Sequence, residues 1–318
     1  MNRRFTIAVP ELVEKARSGD PRSIGRLISL VEEASPLLRE VTQALIPHTG
    51  HARVVGITGA PGVGKSTSTS ALVTALRAQG KRVAVLAVDP SSPFSGGALL
   101  GDRIRMSEHV LDRDVFIRSM ASRGHLGGLS WSTPQAIRVL DAAGFDVVLV
   151  ETVGVGQSEV EVAGLADSTI VLLAPGMGDG IQAAKAGILE IGDLYVVNKA
   201  DREGAHTVRR ELRGALALSA RAEGAWQRPV LMTTAQDGGG VVEVVAALDE
   251  HAAWLQSSGE LVARRRRRAR EEVEAIAVAT LRARWAQLRE ASLLDSLAGD
   301  VADRELDPYA AADQLLAT

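Results

Sequence analysis

The sequence predicts an α/β fold with a mostly parallel central sheet flanked by helices, and three observations predict it. Short apolar runs rich in β-branched residues alternate with helix-length segments between residues 53 and 236. A glycine-rich stretch directly follows the first run, and strand patterns are missing from both ends of the chain. Nearly continuous apolar strands separated by helices are typical of a parallel sheet covered on both faces.

The chain divides into three segments on this pattern. Residues 1–50 are predicted as an N-terminal helical extension, residues 51–258 as the sheet domain and residues 259–318 as a C-terminal helical arm. In the extension, Asp20-Pro21 and Ser35-Pro36 each pair an N-cap residue with a proline at the first helical position. In the arm, a helix is predicted over 260–291.

Seven strands are predicted in the central segment. In chain order they are RVVGIT, KRVAVLAVD, DVFIRSM, FDVVLVET, STIVLLA, LYVVNKAD and RPVLMTTA. The arm that follows carries an apolar stripe, formed by Val273, Ala277, Leu281, Trp285 and Leu288. Such a stripe on a terminal helix needs a partner, either in its own domain or in a second subunit.

Composition excludes several classes of protein. The net charge of −3 and the pI near 6.1 give no general attraction to nucleic acid or to an anionic membrane, so neither partner is expected. The chain has no cysteine, which excludes disulfides and thiolate metal sites and fits a reducing compartment. The first apolar run stops at Pro10, too short for a secretory signal, and no run approaches the ~20 residues that span a bilayer. We therefore expect a cytoplasmic protein.

The stretch GITGAPGVGKST, residues 56–67, satisfies the phosphate-loop pattern G-x-x-x-x-G-K-[ST] after a strand and at the start of a helix. Glycines let successive backbone N–H groups face phosphates, and the helix N-terminus favours anions. Lys65 is expected to reach the β- and γ-phosphates, and the Ser66 hydroxyl to bind Mg²⁺. The predicted phosphate-binding residues are Gly59, Ala60, Pro61, Gly62, Val63, Gly64, Lys65, Ser66 and Thr67.

The tetrapeptide Asn198-Lys199-Ala200-Asp201 at the end of a strand predicts the base. A carboxylate at Asp201 accepts from the N1–H and the exocyclic amine of guanine, whereas adenine presents an acceptor at N1. A repelled or unpaired buried polar group costs ~1–3 kcal/mol, enough to select the base. Asn198 is expected to hold the loop and the N7 side, Lys199 to cover the ring, and Thr234 or Ala235 to donate a backbone N–H to the guanine O6. The predicted ligands are thus GTP and GDP.

Oxygen ligands for Mg²⁺ follow three of the strands. Asp89 ends a strand and precedes a Pro/Ser/Gly-rich loop, Asp102 follows that loop, and Glu151 ends a buried strand. Together with Ser66 these groups suit Mg²⁺ held with phosphates. Asp102 has an alternative interpretation as a helix N-cap. An unpaired carboxylate at Glu151 would be costly, which favours a functional role there.

Several longer stretches resemble the methylmalonyl-CoA mutase-associated GTPases, the MeaB/ArgK family. They are LDAAGFDVVLVETVGVGQSEVEV, AVDPSSPFSGGALLGDRIRM, APGMGDGIQAAKAGILEIGD and VVNKAD. The resemblance covers essentially the whole chain and implies a P-loop GTPase fold with a homodimer formed through the C-terminal arm. It also implies GTP hydrolysis that gates cofactor delivery to an adenosylcobalamin-dependent acyl-CoA mutase.

The resemblance also assigns residues. Lys65, Ser66, Asp89, Asp102 and Glu151 match the phosphate and Mg²⁺ positions, and Asn198 and Asp201 match the base-reading positions. Asp179 and Lys185 fall in an additional switch segment, and Lys185 is the candidate for a cation that assists catalysis. Val155 stands where other nucleotide switches carry a water-orienting Gln, so slow hydrolysis that waits for a partner is expected.

Two other functions remain open on the sequence. One is a metallochaperone GTPase for another metalloenzyme, which the lack of Cys and of a His tract disfavours. The other is a P-loop kinase or transport-linked ATPase, which the Asn198–Asp201 motif disfavours. The run Arg264–Arg268 is followed by three glutamates, so a solvated, ion-paired helix face is predicted, with an acidic partner or subunit surface as the alternative.

Overall fold

The fold is built on one parallel sheet. The computed structural model describes residues 8–33, 35–90, 107–109, 111–122, 132–152, 158–176, 188–218, 224–288 and 291–316. Seven strands, ordered β3-β2-β4-β1-β5-β6-β7, pair in parallel throughout. They are β1 (Arg53–Gly59), β2 (Val83–Pro90), β3 (Val115–Ser122), β4 (Val147–Thr152), β5 (Ser168–Leu173), β6 (Leu194–Asn198) and β7 (Val230–Thr233). Each predicted strand is present, which confirms the predicted α/β class.

Helices cover both faces of this sheet. In the described residues they are α1 (Val9–Arg17), α2 (Pro21–Glu32), α3 (Leu38–Leu45), α4 (Lys65–Ala78), α5 (Ser132–Ala142), α6 (Ser158–Leu165), α7 (Ile188–Ile191), α8 (Ala205–Leu218), α9 (Val241–Ser257), α10 (Glu260–Leu288), α11 (Ala291–Ala302) and α12 (Pro308–Leu316). One apolar core joins the N-terminal helices, α5 and α6 to one face of the sheet. A second core joins α4 and α9 to the other face, and α8 packs beside β6 and β7.

The N-terminal helices are part of the first core. Leu27 and Ile28 on α2 are fully buried, and Arg118 on β3 donates to Glu32 at 2.5 Å. At the start of α2 the Asp20 carboxylate accepts from the Ser23 backbone N–H at 2.9 Å, which confirms the predicted cap. Hydrogen bonds from Ser23 also hold the pKa of Asp20 below its usual value.

The second predicted cap in this extension is wrong. Helix α3 begins at Leu38 rather than at Pro36, and no side chain caps it. Ser35 instead closes a turn, in which its carbonyl accepts from the Leu38 N–H at 2.9 Å and its hydroxyl accepts from the Leu37 N–H at 3.3 Å. A serine followed by proline favours this turn as readily as a helix start.

The order of the strands gathers the predicted site at one edge of the sheet. Strand β1 lies between β4 and β5. Strands β2, β3 and β4 lie on one side of β1, and after β4 the chain crosses to β5 on the other side. This is the switch point of a doubly wound sheet, where ligands bind at the carboxyl ends of the strands. Gly59, Glu151, Asn198 and Thr233 all lie at those ends.

The chain forms two compact units, Met1–Leu261 and Val262–Thr318. The second contains most of α10 and a hairpin of α11 and α12, in which Leu297 and Ala311 are buried. Within the described residues, no helix is both long and apolar enough to cross a membrane.

Because Leu27 is buried in the core shared with the sheet, we expect Leu27→Ala to destabilise the whole first unit. The expected loss is about 2–5 kcal/mol in the free energy of unfolding, from lost burial and the remaining cavity. Urea denaturation followed by circular dichroism measures it. The matched control is Leu111→Ala, since Leu111 is 94% exposed. Equal stability of the two variants would contradict the packing described here.

Candidate nucleotide-binding site

The phosphate loop between β1 and α4 passes very close to its neighbours. Gly59, Gly62 and Gly64 have φ values of +145°, +80° and +95°, a region that side chains rarely allow. A Cβ on Gly59 would lie 2.3 Å from the Leu172 carbonyl oxygen, and one on Gly64 would lie 2.5 Å from Asn198 Nδ2. The pattern of glycines is therefore required by backbone conformation and by close approach together.

Lys65 is the first residue of α4 and is buried. Its ammonium donates to the carbonyl oxygens of Gly59 at 2.7 Å and Ala60 at 3.1 Å, so its charge lies within the curve of the loop. A helix N-terminus and a lysine charge at one place make a site for anions. This placement is compatible with the predicted contact to the β- and γ-phosphates.

Ser66 and Glu151 come together beside the loop. The Ser66 hydroxyl donates to Glu151 Oε1 at 2.7 Å, and both residues are buried. A hydroxyl and a carboxylate are oxygen ligands of the kind that Mg²⁺ prefers, so this pair fits the metal that the motif implies. In the described part of the chain no group of three or more His, Asp or Glu side chains is placed to hold a metal ion.

The structure does not describe the side chains of the other residues predicted for the metal and the switch. Asp89 lies on β2, one residue beyond Val88, which pairs with Thr152 on β4, but its side chain lies outside the description. Asp102, Val155, Asp179 and Lys185 lie outside the described residues. Their roles stay predictions.

Asn198 joins three segments of the site. Its Nδ2 donates to the Val63 carbonyl in the phosphate loop at 2.9 Å. Its Oδ1 accepts from the Thr233 hydroxyl at 3.2 Å and from the Ala235 backbone N–H at 3.1 Å. Asn198 is 3% exposed, so these bonds form away from water. Its amide ties the phosphate loop to the loop after β7, and its role beside the N7 side of a base stays a prediction.

The loop after β6 carries the next two predicted residues, of which Lys199 is half-buried and Asp201 exposed. Lys199 has φ +57°, and its ammonium donates to the Gly62 carbonyl at 2.7 Å. Its side chain therefore reaches from the loop after β6 to the phosphate loop. Asp201 is exposed, and its carboxylate has no hydrogen bond with the described residues. Of the predicted O6 donors, the Thr234 N–H donates to Gly239 and the Ala235 N–H to Asn198.

Two features of the site were not predicted from the sequence. Thr233 buttresses Asn198, and its position at the end of a strand directly before the predicted O6 donors is the signal that could have identified it. The second is the anchoring of residues 107–109 and 111–114 on α4, where His109 Nε2 lies 3.1 Å from the Ser70 hydroxyl.

The same segment is held by an ion pair. Arg77 on α4 contacts Asp112 at 2.8 Å and Asp114 at 3.0 Å. The hydrogen bond from Arg77 lowers the pKa of Asp112, and the pKa of Arg77 is raised in turn. The chain that returns from the Pro/Ser/Gly-rich loop is thereby fixed to the helix that carries Lys65 and Ser66.

Because Gly64 has a positive φ and lies against Asn198, we expect Gly64→Ala to displace the phosphate loop and the loop after β6 together. Affinity for guanine nucleotides should fall by at least about 10-fold, since a left-handed alanine and a 2.5 Å approach each cost more than 1 kcal/mol. Titration with a fluorescent GDP analogue measures it. Gly25→Ala is the control, because a Cβ at Gly25 on α2 meets open space. Unchanged affinity in Gly64→Ala would contradict this geometry.

Comparisons with known proteins agree with the site. The probable GTPase of Mycobacterium tuberculosis is 42% identical over 316 residues, covering 97% of this chain and 94% of that protein. The mouse methylmalonic aciduria type A homolog, mitochondrial, is 38% identical over 267 residues, covering 78% of this chain and 64% of that protein.

A solved structure, of an LAO/AO transport system kinase, superposes with a TM-score of 0.74 at 28% identity, covering 99% of this chain and 97% of that one. Residues 24–290 match the sequence profile described as Methylmalonyl Co-A mutase-associated GTPase MeaB. The profile match over residues 24–290 and the 42% identity with the mycobacterial protein show that the chain belongs to the MeaB family of GTPases.

Proposed function

We propose that this protein is a Mg²⁺-dependent GTPase that acts as a chaperone for an adenosylcobalamin-dependent acyl-CoA mutase of the methylmalonyl-CoA mutase type. GTP hydrolysis gates the loading or protection of the mutase cofactor. The single observation that supports the GTPase part most strongly is the Asn198 amide, which ties the phosphate loop to the loop after β7. The name of the matching family supports the mutase part.

Under this proposal the residues of the candidate site divide between phosphate binding and Mg²⁺ binding. Loop N–H groups and Lys65 bind the phosphates, and Lys65 shifts from the Gly59 and Ala60 carbonyls to phosphate oxygens as they arrive. Ser66 and Glu151 hold Mg²⁺ directly or through its water shell, with Asp89 and Asp102 as further ligands. When bound there, Mg²⁺ would neutralise part of the negative charge on the phosphate oxygens.

Guanine selection falls to Asp201. Its carboxylate is exposed and has no hydrogen bond with the described residues, so it is available to accept from guanine N1–H and the exocyclic amine. The solved relative named as a transport system kinase keeps the alternative of a kinase or transport-linked ATPase in view. That alternative requires adenine, to which a carboxylate at this position offers no matching donor.

Hydrolysis is slow without the mutase under this proposal. Val155 carries no amide to orient the attacking water, so a partner that orders the switch segments completes the site. Lys185 supplies positive charge to the transition state, and Asp179 shares its glycine-rich segment. A positioned cation of this kind is worth several kcal/mol in phosphoryl transfer.

We also propose a homodimer formed through a C-terminal arm, residues 259–318, beside a GTPase domain of residues 51–258. Exposed apolar side chains on α10 support it: Val273 is 67% exposed, Ile276 53% and Leu281 63%. A helix of this kind gains by packing against another helix. The occupant is a second copy, in keeping with the expectation from sequence.

We expect the wild type to bind GTP and GDP at least about 10² times more tightly than ATP, because only guanine satisfies Asp201. Asp201→Asn should lose GTP affinity and gain affinity for XTP, whose 2-carbonyl accepts from the asparagine amide. Titration of fluorescent nucleotides with Mg²⁺ measures both. Glu203→Gln, an exposed carboxylate in the same loop, is the matched control. Equal affinity of the wild type for ATP and GTP would remove the guanine assignment.

We expect the cognate mutase to raise GTP turnover by at least about 10-fold, and Lys185→Ala to abolish most of that increase. Phosphate release with and without the mutase gives both quantities, and Lys81→Ala, an exposed lysine after α4, is the control. Full stimulation of Lys185→Ala would exclude Lys185 as the cation. If the mutase stimulates neither protein, the chaperone role itself is wrong.

A further inference from the structure

The second compact unit separates its charges by sign. Helix α10, residues 260–288, carries eight arginines against four glutamates, and the α11–α12 hairpin, residues 291–316, carries six carboxylates against one arginine. The chain as a whole is near neutral, with a net charge of −3. One small unit therefore has a basic beginning and an acidic end.

Many of these charges have no partner within the described residues. Arg266, Arg267 and Arg270 are exposed and form no ion pair there. In the hairpin, the same holds for a set of exposed carboxylates, which are Asp295, Asp303, Glu305 and Asp313. Asp307 is used differently, since it caps α12 by accepting from the Tyr309 N–H at 2.9 Å.

The two sets lie too far apart along one chain to meet fully. Arg266 is 22 residues before the end of α10, which corresponds to about 33 Å of helix. Helix α11 has 12 residues and spans about 18 Å, so the hairpin cannot fold back as far as Arg266.

The arginines continue the apolar stripe of the arm. Arg266, Arg270, Val273, Ala277 and Leu281 follow spacings of four, three, four and four residues, which place them on one side of α10. A partner that covers Val273 and Leu281 therefore also faces Arg266 and Arg270. An apolar band with a basic end fits a surface that is apolar and then acidic.

We propose that the basic beginning of α10 docks on the acidic α11–α12 hairpin of a second copy of this chain, with the two arms antiparallel. The inference rests on the homodimer proposed above and names the contact that sets its orientation. A two-fold axis makes the contact twice, because each copy supplies one basic and one acidic surface. Like charges would meet in a parallel arrangement, so complementarity selects the antiparallel one.

The test compares charge reversals in the full-length chain. One variant carries Arg266→Glu, Arg267→Glu and Arg270→Glu, the second carries Asp303→Arg, Glu305→Arg and Asp313→Arg, and the third combines all six. Sedimentation at about 0.05 M and about 0.5 M salt gives the dimer dissociation constant, since exposed ion pairs weaken with salt. Arg210→Glu with Arg213→Glu on α8, both exposed, is the matched control.

We expect each triple variant to weaken the dimer by about 10-fold or more at low salt, and the combined variant to return to within about 3-fold of the wild type. The control should leave the dimer unchanged, and GDP affinity should be equal in all variants. Recovery in the combined variant excludes simple misfolding, because six substitutions would otherwise do more harm than three.

Other outcomes overturn specific parts. If neither triple variant changes the dimer dissociation constant, the docking contact is wrong but the homodimer proposal stands. A monomer at all concentrations and salts overturns the homodimer and this contact together, while the GTPase proposal is judged separately by nucleotide affinity. If the arginine variant instead loses binding to a labelled DNA duplex and keeps its dimer, the arginines serve a polyanion and the docking contact is wrong.

Discussion

The close passage of the phosphate loop along β5 and β6 is the constraint on which the rest of the site depends. At Gly59 the loop leaves no room for a side chain against Leu172, and at Gly64 none against Asn198. Because both neighbours are on buried strands of the same sheet, the loop cannot move without moving the centre of the fold. The positions of Lys65 and Ser66 follow directly, since α4 begins where the loop ends.

Asn198 extends this constraint from the phosphate loop to the loop after β7. Its amide has a fixed number of donors and acceptors, and the described bonds reach the phosphate loop on one side and the loop after β7 on the other. The phosphate loop and the loop after β7 are therefore held in register by one buried side chain. Lys199 adds an exposed tie between the same loops.

Much of this could be predicted from sequence where the signal is local. Apolar runs identify all seven strands, because a strand buried on both faces shows in its own residues. The phosphate loop is similarly local. The bond of Ser66 with Glu151 joins residues 85 positions apart, so no local spacing reveals the contact itself, although both residues are predicted as Mg²⁺ ligands from their motif positions and from the family resemblance. The contact of Thr233 with Asn198 joins residues 35 apart, and its one signal in the sequence is the place of Thr233 at a strand end before the predicted O6 donors. The Ser35-Pro36 cap failed for the opposite reason, since its local signal fits two conformations.

The packing of the N-terminal extension has a consequence for synthesis on the ribosome. Helix α2 packs on α5, which begins about 100 residues later. The Thr42 hydroxyl in the extension also donates to Gln135 Oε1 on α5 at 3.3 Å. At about 5–20 residues per second, the ribosome makes α5 about 5–20 s after α2. During that interval α5 and β4, which complete the core around Ile24, Leu27 and Ile28, have not been made. The apolar face of α2 is therefore made before the parts of the core that cover it and before the proposed nucleotide site is complete.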